Sequence, residues 1–312
     1  MRRKVTTITC ITHKIRTSRG DRKVEKMKII RTIKEIKKEI RTLRTHGRTV
    51  GFVPTMGALH RGHLSLMEPC KAENDLTVVS IFVNPSQFGP GEDFDQYPRD
   101  LRRDEALLRE QGVDILFYPD TAEIYPPGYA TYVEVEKLGN VLCGKSRPTH
   151  FRGVATVVLK LFNIVKPDYA YFGQKDGQQA ILLKRMAVDL NLDVTIKAMP
   201  IVRDEDGLAM SSRNVYLSAE EREAALCFPR ALREAKERIG SGLEDAPGIR
   251  AFIEAEIKKS PLVTVDYIEV VTLDTLEPFP ESQLIDKNNT LVAGAVRVGK
   301  TRLIDNFILG EI

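Results

Sequence analysis

The stretch that decides the fold is Pro54-Thr55-Met56-Gly57-Ala58-Leu59-His60-Arg61-Gly62-His63. It follows a β-like run at 49–53 and opens into 64–68, which has the composition of a helix. A strand, a glycine-bearing turn and a helix start leave free backbone N–H groups where an anion is favoured. His60 and His63 share one face of the first helical turn because they are three positions apart. Two imidazoles beside an anion site suit a nucleoside triphosphate, although a plain βα turn with two surface histidines also fits this spacing.

Apolar runs of strand length alternate with segments of helical spacing from residue 29 onward. The strands are predicted at 49–53, 76–83, 113–118, 132–135, 169–172 and 194–202, and the helices at 29–43, 64–68, 100–111, 151–166 and 178–190. This alternation predicts an α/β fold with a Rossmann-like parallel sheet and helices on both faces. In such sheets ligands bind beyond the carboxyl ends of the strands. We therefore expect the loops at 54–63, 84–91, 173–179 and 203–213 to converge on one crevice, and 84–91 and 203–213 to be its moving parts.

The last hundred residues have a different pattern. Ser218 and Glu221 form a capping box that opens a helix predicted to reach about residue 239. A linker at 241–248, a helix at 249–259 and alternating strands at 263–271 and 291–298 follow. The predicted organisation is a basic N-terminal extension at 1–26, a Rossmann-like domain at 27–209 and a smaller α+β C-terminal domain at 210–312.

Charge is unevenly distributed along the chain. The net charge is +4, but residues 1–26 hold nine Lys and Arg against two acids, a net of +7 that leaves −3 for the remainder. The slightly acidic body gives no case for nucleic-acid binding. The basic segment has the composition of a mitochondrial transit segment and equally fits an upstream start codon chosen wrongly. We expect it to be disordered or artefactual, with Met27 as the natural beginning.

Four cysteines, Cys10, Cys70, Cys143 and Cys227, are widely scattered and form no C-x-x-C pair. This spacing disfavours a zinc site and favours reduced thiols, so we expect a cytoplasmic protein. No apolar run approaches the roughly 18 residues that a membrane span requires. The N-terminus also lacks the apolar core of a secretory signal.

Polar residues suited to phosphate and hydroxy-acid chemistry follow several predicted strands. An ammonium at Lys175 can pair with phosphate oxygens, and Asp176 can accept hydrogen bonds from ribose hydroxyls. Met210-Ser211-Ser212-Arg213 offers two hydroxyl donors and a guanidinium that can hold phosphate bidentately. Gln87 and Gln179 each supply a donor and an acceptor, which suits a small hydroxy acid. Each of these features on its own also fits an ordinary surface loop.

Acidic residues cluster between positions 92 and 104 and could hold Mg²⁺, which prefers oxygen ligands and often uses substrate phosphates for the remainder; a solvated acidic rim also fits them. They are Glu92, Asp93, Asp95, Asp100 and Asp104. The chain has no G-x-x-x-x-G-K-[ST] loop, no G-x-S-x-G elbow and no H-E-x-x-H pair. Residues 294–301 imitate the end of a phosphate loop, but their spacing and context do not fit one.

Taken together, these motifs resemble a known family. His60-Arg61-Gly62-His63 is similar to the His-x-Gly-His signature of the nucleotidyltransferase superfamily, and Met210-Ser211-Ser212-Arg213 resembles its Lys-Met-Ser-Lys-Ser-like loop. More narrowly, the chain from Met27 onward resembles the pantothenate synthetase (pantoate–β-alanine ligase) family. The matching segments are Phe52–His63, Ile81–Phe88, Tyr97-Pro98-Arg99, Arg147–Val154, Tyr171–Gln179 and Gly207–Leu217.

The resemblance implies ATP-dependent condensation of pantoate with β-alanine through a pantoyl adenylate, with Mg²⁺ accompanying ATP and the chain acting as a homodimer. It implies that His63 is the proton donor and that His60, Lys175 and Arg213 are catalytic. Gln87 would contact pantoate and β-alanine, Gln179 would bind pantoate, and Asp104 would lie near Mg²⁺. The ATP-binding positions it implies are Met56, Gly57, Ala58, Leu59, His60, Arg61, Gly62, His63, Gly173, Gln174, Lys175, Asp176, Val202, Met210, Ser211, Ser212 and Arg213.

The chain departs from the family pattern in two places. Gln174 stands where glutamate is commoner, which leaves any role of that acid in doubt, and the basic extension precedes the family's usual start. Two rival functions stay open. One is another His-x-Gly-His enzyme of the cytidylyltransferase or pantetheine-phosphate adenylyltransferase type. The other is a non-catalytic RNA-binding relative of the synthetases, which would use the basic N-terminus.

Overall fold

The computed structural model describes residues 27–45, 47–242, 245–280 and 283–312. The expectation about the extension at 1–26 lies outside these residues.

Nine strands and ten α-helices are found in the described chain. The strands are β1 (Lys28–Ile30), β2 (Val50–Thr55), β3 (Leu76–Ile81), β4 (Ile115–Phe117), β5 (Tyr169–Gly173), β6 (Thr195–Met199), β7 (Val263–Thr272), β8 (Asn289–Val298) and β9 (Thr301–Gly310). The helices are α1 (Ile33–Arg44), α2 (Arg61–Glu73), α3 (Leu101–Glu110), α4 (Thr121–Ile124), α5 (Cys143–Ser146), α6 (His150–Val165), α7 (Gly177–Asp189), α8 (Ala219–Ala225), α9 (Cys227–Gly240) and α10 (Ala246–Lys258).

The first six strands form one parallel sheet in the order β1-β4-β3-β2-β5-β6. All six residues of β3 are buried, because helices cover both faces of the sheet. From β2 the chain winds outward through β3 and β4 and then returns to lie on the other side as β5. The carboxyl ends of β2 and β5 therefore meet at the point where the winding direction reverses, which is where open α/β sheets bind ligands. The predicted Rossmann-like fold class is confirmed.

The smaller sheet is antiparallel, in the order β7-β8-β9. Helices α9 and α10 pack on it through a separate cluster of buried side chains that extends from Leu208 to Phe307. Leu208 belongs to this cluster, although the predicted boundary assigns it to the larger domain. The division at 209/210 itself stays a prediction.

Three secondary-structure predictions are wrong in ways that have physical causes. Ile29 belongs to β1, and α1 starts only after Thr32, whose side chain accepts the N–H of Glu35. No strand forms at 132–135, because Val133 donates its N–H to the hydroxyl of Thr156 on α6 and not to a neighbouring strand. The helix predicted from 218 to 239 is divided after Ala225, since Pro229 cannot donate to the carbonyl four residues earlier.

Strand β9 was not predicted at all. Residues 294–301 form the second half of β8 and a tight hairpin turn in which Gly299 has a φ of 55°. The structure thus confirms that this stretch is not a phosphate loop. It also places β9, and the side chains it carries, against the larger domain. Among the described residues, no helix has the length and apolar character needed to cross a membrane.

Candidate active site

The first turn of α2 is closed by its two histidines. His60 is the N-cap residue, and its Nδ1 accepts the N–H of Gly62 at 3.2 Å. His63 folds back so that its own Nδ1 accepts the N–H of His60 at 3.4 Å. A ring nitrogen that accepts carries no hydrogen, so the hydrogen of each neutral ring lies on Nε2. Both side chains therefore keep an Nε2–H donor for a further partner.

Electrostatics keep these two rings neutral. Burial, and next the neighbouring Lys175, lower the pKa of His60 to about 4. Burial, the His60 ring and Lys175 lower the pKa of His63 to about 3. Protonation would place a positive charge beside an existing ammonium in a poorly solvated position, which disfavours it. Near neutral pH the pair can offer two N–H donors to an anion without first losing protons.

The turn before α2 is held by Asp104 of α3. Its two carboxylate oxygens accept the N–H groups of Ala58 and Leu59, each at 2.8 Å. Gly57 and Ala58 both have positive φ values, 82° and 51°, a conformation that costs energy at an alanine. The two hydrogen bonds to the Asp104 carboxylate stabilise this conformation. Asp104 is only 1% exposed, and burial raises its pKa.

Lys175 follows β5 in a short 3₁₀ segment at Gln174–Asp176. Its Nζ lies 3.8 Å from the Asp176 carboxylate, and its side chain is half-buried. Gln174, at the position where the family commonly has glutamate, donates to Asn306 Oδ1 at 3.4 Å. The amide therefore makes a contact with β9 that does not depend on a negative charge.

The loop that carries Arg213 is shaped by its own hydrogen bonds. Arg203 and Ala209 form an antiparallel bridge, and the Ser211 hydroxyl accepts the N–H of Arg213 at 3.3 Å. The Arg213 guanidinium forms two parallel hydrogen bonds with Asp93, at 3.0 and 2.8 Å. A phosphate group would bind the guanidinium through the same two parallel hydrogen bonds.

Gln87 lines the same crevice as Lys175 and Arg213. Its Oε1 accepts from Asn84 Nδ2 at 3.0 Å, and its Nε2 approaches the Met56 sulfur at 3.1 Å. The backbone carbonyl of Gln87 is hydrogen-bonded to Arg147 Nη2 at 3.3 Å and to His150 Nδ1 at 3.0 Å. Gln87 is 9% exposed, so that its side chain is fixed before any ligand arrives.

These loops surround one cavity of about 990 Å³ between the two sheets. Nine of the predicted site residues line it. They are Met56, His63, Gln87, Gly173, Lys175, Asp176, Gln179, Ser211 and Arg213. The volume is in the range expected of ligand pockets that take a nucleotide-sized molecule.

The remaining predicted residues are not among those that line this cavity. They are Gly57, Ala58, Leu59, His60, Arg61, Gly62, Gln174, Val202, Met210, Ser212 and Asp104. The turn at 60–63 and the loop at 210–213 are adjacent, because a Cβ added to Gly62 would lie 3.6 Å from Cβ of Met210. Asp104 lines a separate recess of about 180 Å³ on the far side of the turn.

Several cavity residues were not singled out from the sequence. Arg147 directly follows α5 and His150 begins α6, and Arg147 forms a bidentate ion pair with Glu92 at 2.7 and 2.6 Å. Burial, and next Arg147, lower the pKa of His150 to about 4. The short spacing of Arg147 and His150 before an apolar helix is a signal that the sequence contains. Arg302 and Asn306 of β9 also line the cavity, and their strand carried no motif.

A family profile described as pantoate-beta-alanine ligase matches residues 28–308. The chain belongs to the pantoate–β-alanine ligase family. It is 55% identical over 288 residues to the pantothenate synthetase of Pelotomaculum thermopropionicum, covering 92% of this chain and 100% of that protein. With the pantothenate synthetase of Acetivibrio thermocellus it shares 56% identity over 283 residues, covering 91% and 99% of the two chains. The resemblance inferred from the motifs, and with it the assignment of the chain as an enzyme of this family, is confirmed.

Solved structures of the family have the same architecture. Pantothenate synthetase from Thermus thermophilus matches with a TM-score of 0.84 at 45% identity, covering 91% of this chain and 100% of that one. The pantoate-beta-alanine ligase of Francisella tularensis, in complex with Beta-gamma ATP and Beta-alanine, matches with a TM-score of 0.75 at 37% identity, covering 90% and 97%. Members of the family thus share both the parallel sheet and the smaller C-terminal sheet.

Proposed function

We propose that this chain condenses (R)-pantoate with β-alanine to pantothenate, consuming ATP through a pantoyl-adenylate intermediate and releasing AMP and pyrophosphate. The observation that carries the proposal is the convergence of four loops on one cavity, with His63, Gln87, Lys175 and Arg213 on its wall. Membership of the ligase family and the nucleotide in the related Francisella structure support it.

The chemistry needs activation because a free carboxylate is a poor electrophile. In the first step a pantoate carboxylate oxygen would attack the α-phosphorus of ATP, forming a P–O bond as the bond to pyrophosphate breaks. In the second step the amine of β-alanine would attack the acyl carbon, lose a proton and expel AMP. The intermediate hydrolyses readily, so water has to be excluded, and we propose that the loops at 84–91 and 203–213 close over the cavity.

The triphosphate would lie against the turn at 56–63 and the loops at 173–176 and 210–213. Lys175 and Arg213 would offset the charge that develops on the phosphates, and the Nε2–H groups of His60 and His63 would donate to the same oxygens. Neutral donors of this kind act in fixed positions and need no reorganisation during the reaction. The proton-donor role predicted for His63 stays a prediction, because a ring that is neutral near pH 7 donates a hydrogen bond through Nε2–H and carries no extra proton to transfer.

Pantoate would bind between Gln87 and Gln179, and β-alanine would also contact Gln87. Gln87 is pre-positioned by Asn84, Arg147 and His150, as described above. Within the described residues, the Gln179 side chain has no hydrogen-bond partner, although it lines the cavity. Its donor and acceptor are therefore available to the hydroxyl and carboxylate groups of a hydroxy acid.

Mg²⁺ is proposed as the ion that accompanies ATP. Among the described residues no group of three or more His, Cys, Asp or Glu side chains could hold a metal. Asp104, the predicted neighbour of Mg²⁺, already accepts one amide hydrogen at each oxygen. The described residues therefore supply no complete magnesium site of their own, and the ion would be held mainly by substrate phosphates. Homodimerisation and a cytoplasmic location also stay predictions.

The proposal is tested by incubating the protein with pantoate, β-alanine and MgATP and measuring pantothenate and AMP. Equal amounts of both products are expected, with no pantothenate when either acid is omitted. A rival nucleotidyltransferase would release pyrophosphate from CTP or ATP on a phosphorylated acceptor and would form no AMP. An RNA-binding relative would show RNA affinity that falls steeply with salt and no turnover. Either result would overturn the proposal.

A further inference from the structure

We propose that Asp305 and Asn306, consecutive residues of β9, are positioning residues that fix the two phosphate-binding loops relative to each other. The inference rests on the proposed function, since it assigns these two side chains to the ATP half of that reaction. Both residues are buried, at 3% and 4% exposure, although both are polar. Buried polar side chains need partners, and here the partners are the two loops.

Asn306 holds the loop that carries Lys175. Its Nδ2 donates to the backbone carbonyls of Gln174 and Lys175, both at 2.9 Å. The contact is close, because a Cβ added to Gly177 would lie 3.3 Å from the same nitrogen. One amide group thus fixes the two peptide units from which the Lys175 side chain projects toward the cavity.

Asp305 holds the loop that leads to Arg213. Its carboxylate forms two hydrogen bonds with the Arg203 guanidinium, at 2.6 and 3.0 Å, and Oδ1 also accepts the N–H of Asn306 at 2.8 Å. Arg203 in turn donates to the Gly207 carbonyl at 3.1 Å and bridges to Ala209. The ion pair therefore anchors the turn that immediately precedes the Ser211–Arg213 segment.

Neither loop reaches the other through a hydrogen bond of its own among the described residues, and β9 is the element that contacts both. Because Asp305 and Asn306 are adjacent on one strand, the two loops that they hold can move little relative to each other. The distance between the Lys175 and Arg213 loops is consequently set by the docking of the C-terminal sheet. A small displacement of a positioned group can cost about 10²-fold in rate, so these two side chains should matter for adenylation although they are not placed against substrate.

The experiment uses the full chain with Asn306→Leu and Arg203→Lys. The first variant cannot donate to the two carbonyls and adds no charge to the cavity; the second keeps the charge and loses the planar fork. Asp168→Asn is the matched control. Asp168 also pairs with an arginine, Arg44, and accepts the backbone N–H of Val50, but it lies at the opposite end of the large sheet.

Three readouts are compared: the ATP dissociation constant by calorimetry, pantoate-dependent ATP–pyrophosphate exchange, and aminolysis of supplied pantoyl adenylate by β-alanine.

We expect the two variants to weaken ATP binding about tenfold or more and to lower exchange about 10²-fold, while aminolysis of supplied adenylate falls far less. The control should lose stability with all three readouts near those of the wild type. Equal losses in both half-reactions, or unchanged ATP affinity in both variants, would overturn the inference. If the proposed function itself were wrong, the unmodified protein would form no AMP. The ATP affinities of the variants could still be compared in that case, so the two failures can be distinguished.

Discussion

His63 Nδ1 accepts the backbone N–H of His60, and the two imidazole rings lie with their centroids 4.1 Å apart. One side chain thereby has two functions at its two nitrogens: Nδ1 completes the helix cap, and Nε2 is left for the cavity. These functions can be separated by substitution because asparagine places an acceptor near Nδ1 and glutamine places a donor near Nε2.

We expect His63→Asn to preserve the cap and to lower pantoate-dependent ATP–pyrophosphate exchange about 10²-fold or more, as loss of one oxyanion donor does elsewhere. His63→Gln should lose some stability and retain more exchange activity. Exchange rates and urea unfolding of both variants check this ranking. If His63→Asn exchanged at the wild-type rate, His63 would have no part in adenylation.

The same histidines make stability depend on pH. In the unfolded chain a histidine titrates near 6.5, whereas His63 titrates near 3 and His60 near 4 when folded. Below pH 6.5 the unfolded chain takes up protons that the folded chain does not, so stability falls as the pH is lowered from 7 to 5.

We expect His63 alone to contribute on the order of 1 kcal/mol to this fall, after allowance for its partial exposure. Urea unfolding at pH 7, 6 and 5 measures this fall in stability. His63→Asn should lower the number of protons that the chain takes up on unfolding by about one, which is seen as a smaller slope of stability against pH. An unchanged slope in that variant would mean that the pKa of His63 is the same in the folded and the unfolded chain.

The loops that form the cavity were predictable because parallel strands bring the residues that follow them to one edge. His63, Gln87, Lys175 and Arg213 come after different strands, and the alternating pattern alone placed them together. Asp104 was predicted for a different role, since nothing in the sequence shows that a carboxylate on α3 reaches amides 45 and 46 residues earlier. Such a contact depends on how a helix docks, and the hydrophobic pattern fixes which face is buried but not which backbone group that face meets.

The contribution of β9 was missed for a related reason. Alternation and a Gly-Lys turn after β8 are a hairpin signal, although residues 294–301 also imitate the end of a phosphate loop. Even a correctly predicted hairpin would not reveal the partners of Asp305 and Asn306. Those partners lie about 100 and 130 residues earlier, and only the packing of the two domains brings them together.

Adjacent glutamines at the start of α7 allow a matched test of the pantoate site. Gln178 is buried, and its amide contacts Leu138, Val141 and the N–H of Cys143. Gln179 lines the same cavity without a hydrogen-bond partner in the described residues.

We expect Gln179→Ala to raise the pantoate KM more than the ATP KM and to leave the unfolding midpoint near that of the wild type. Gln178→Ala should instead lose about 1–3 kcal/mol of stability, because it leaves buried backbone groups unpaired. Steady-state kinetics with each substrate varied in turn, together with urea unfolding, separate the two. A larger rise in the ATP KM for Gln179→Ala would contradict its assignment to pantoate.

Asp104 is tested by Asp104→Asn, with Asp100→Asn as the control on the same helix. Asparagine replaces one carboxylate oxygen with an NH₂ group that faces the amide of Ala58 or Leu59, so one buried donor loses its acceptor. We expect a loss of about 1–3 kcal/mol in stability and a clear rise in the ATP KM as the turn relaxes. Asp100 caps α3 by accepting the N–H of Arg103, and asparagine caps almost equally well, so the control should change little.

The magnesium concentration for half-maximal activity distinguishes the structural role of Asp104 from the predicted metal role. Both oxygens already hold amides, so we expect this concentration to change less than the ATP KM does. A change in magnesium dependence that exceeds the change in ATP affinity would instead place the ion beside this carboxylate.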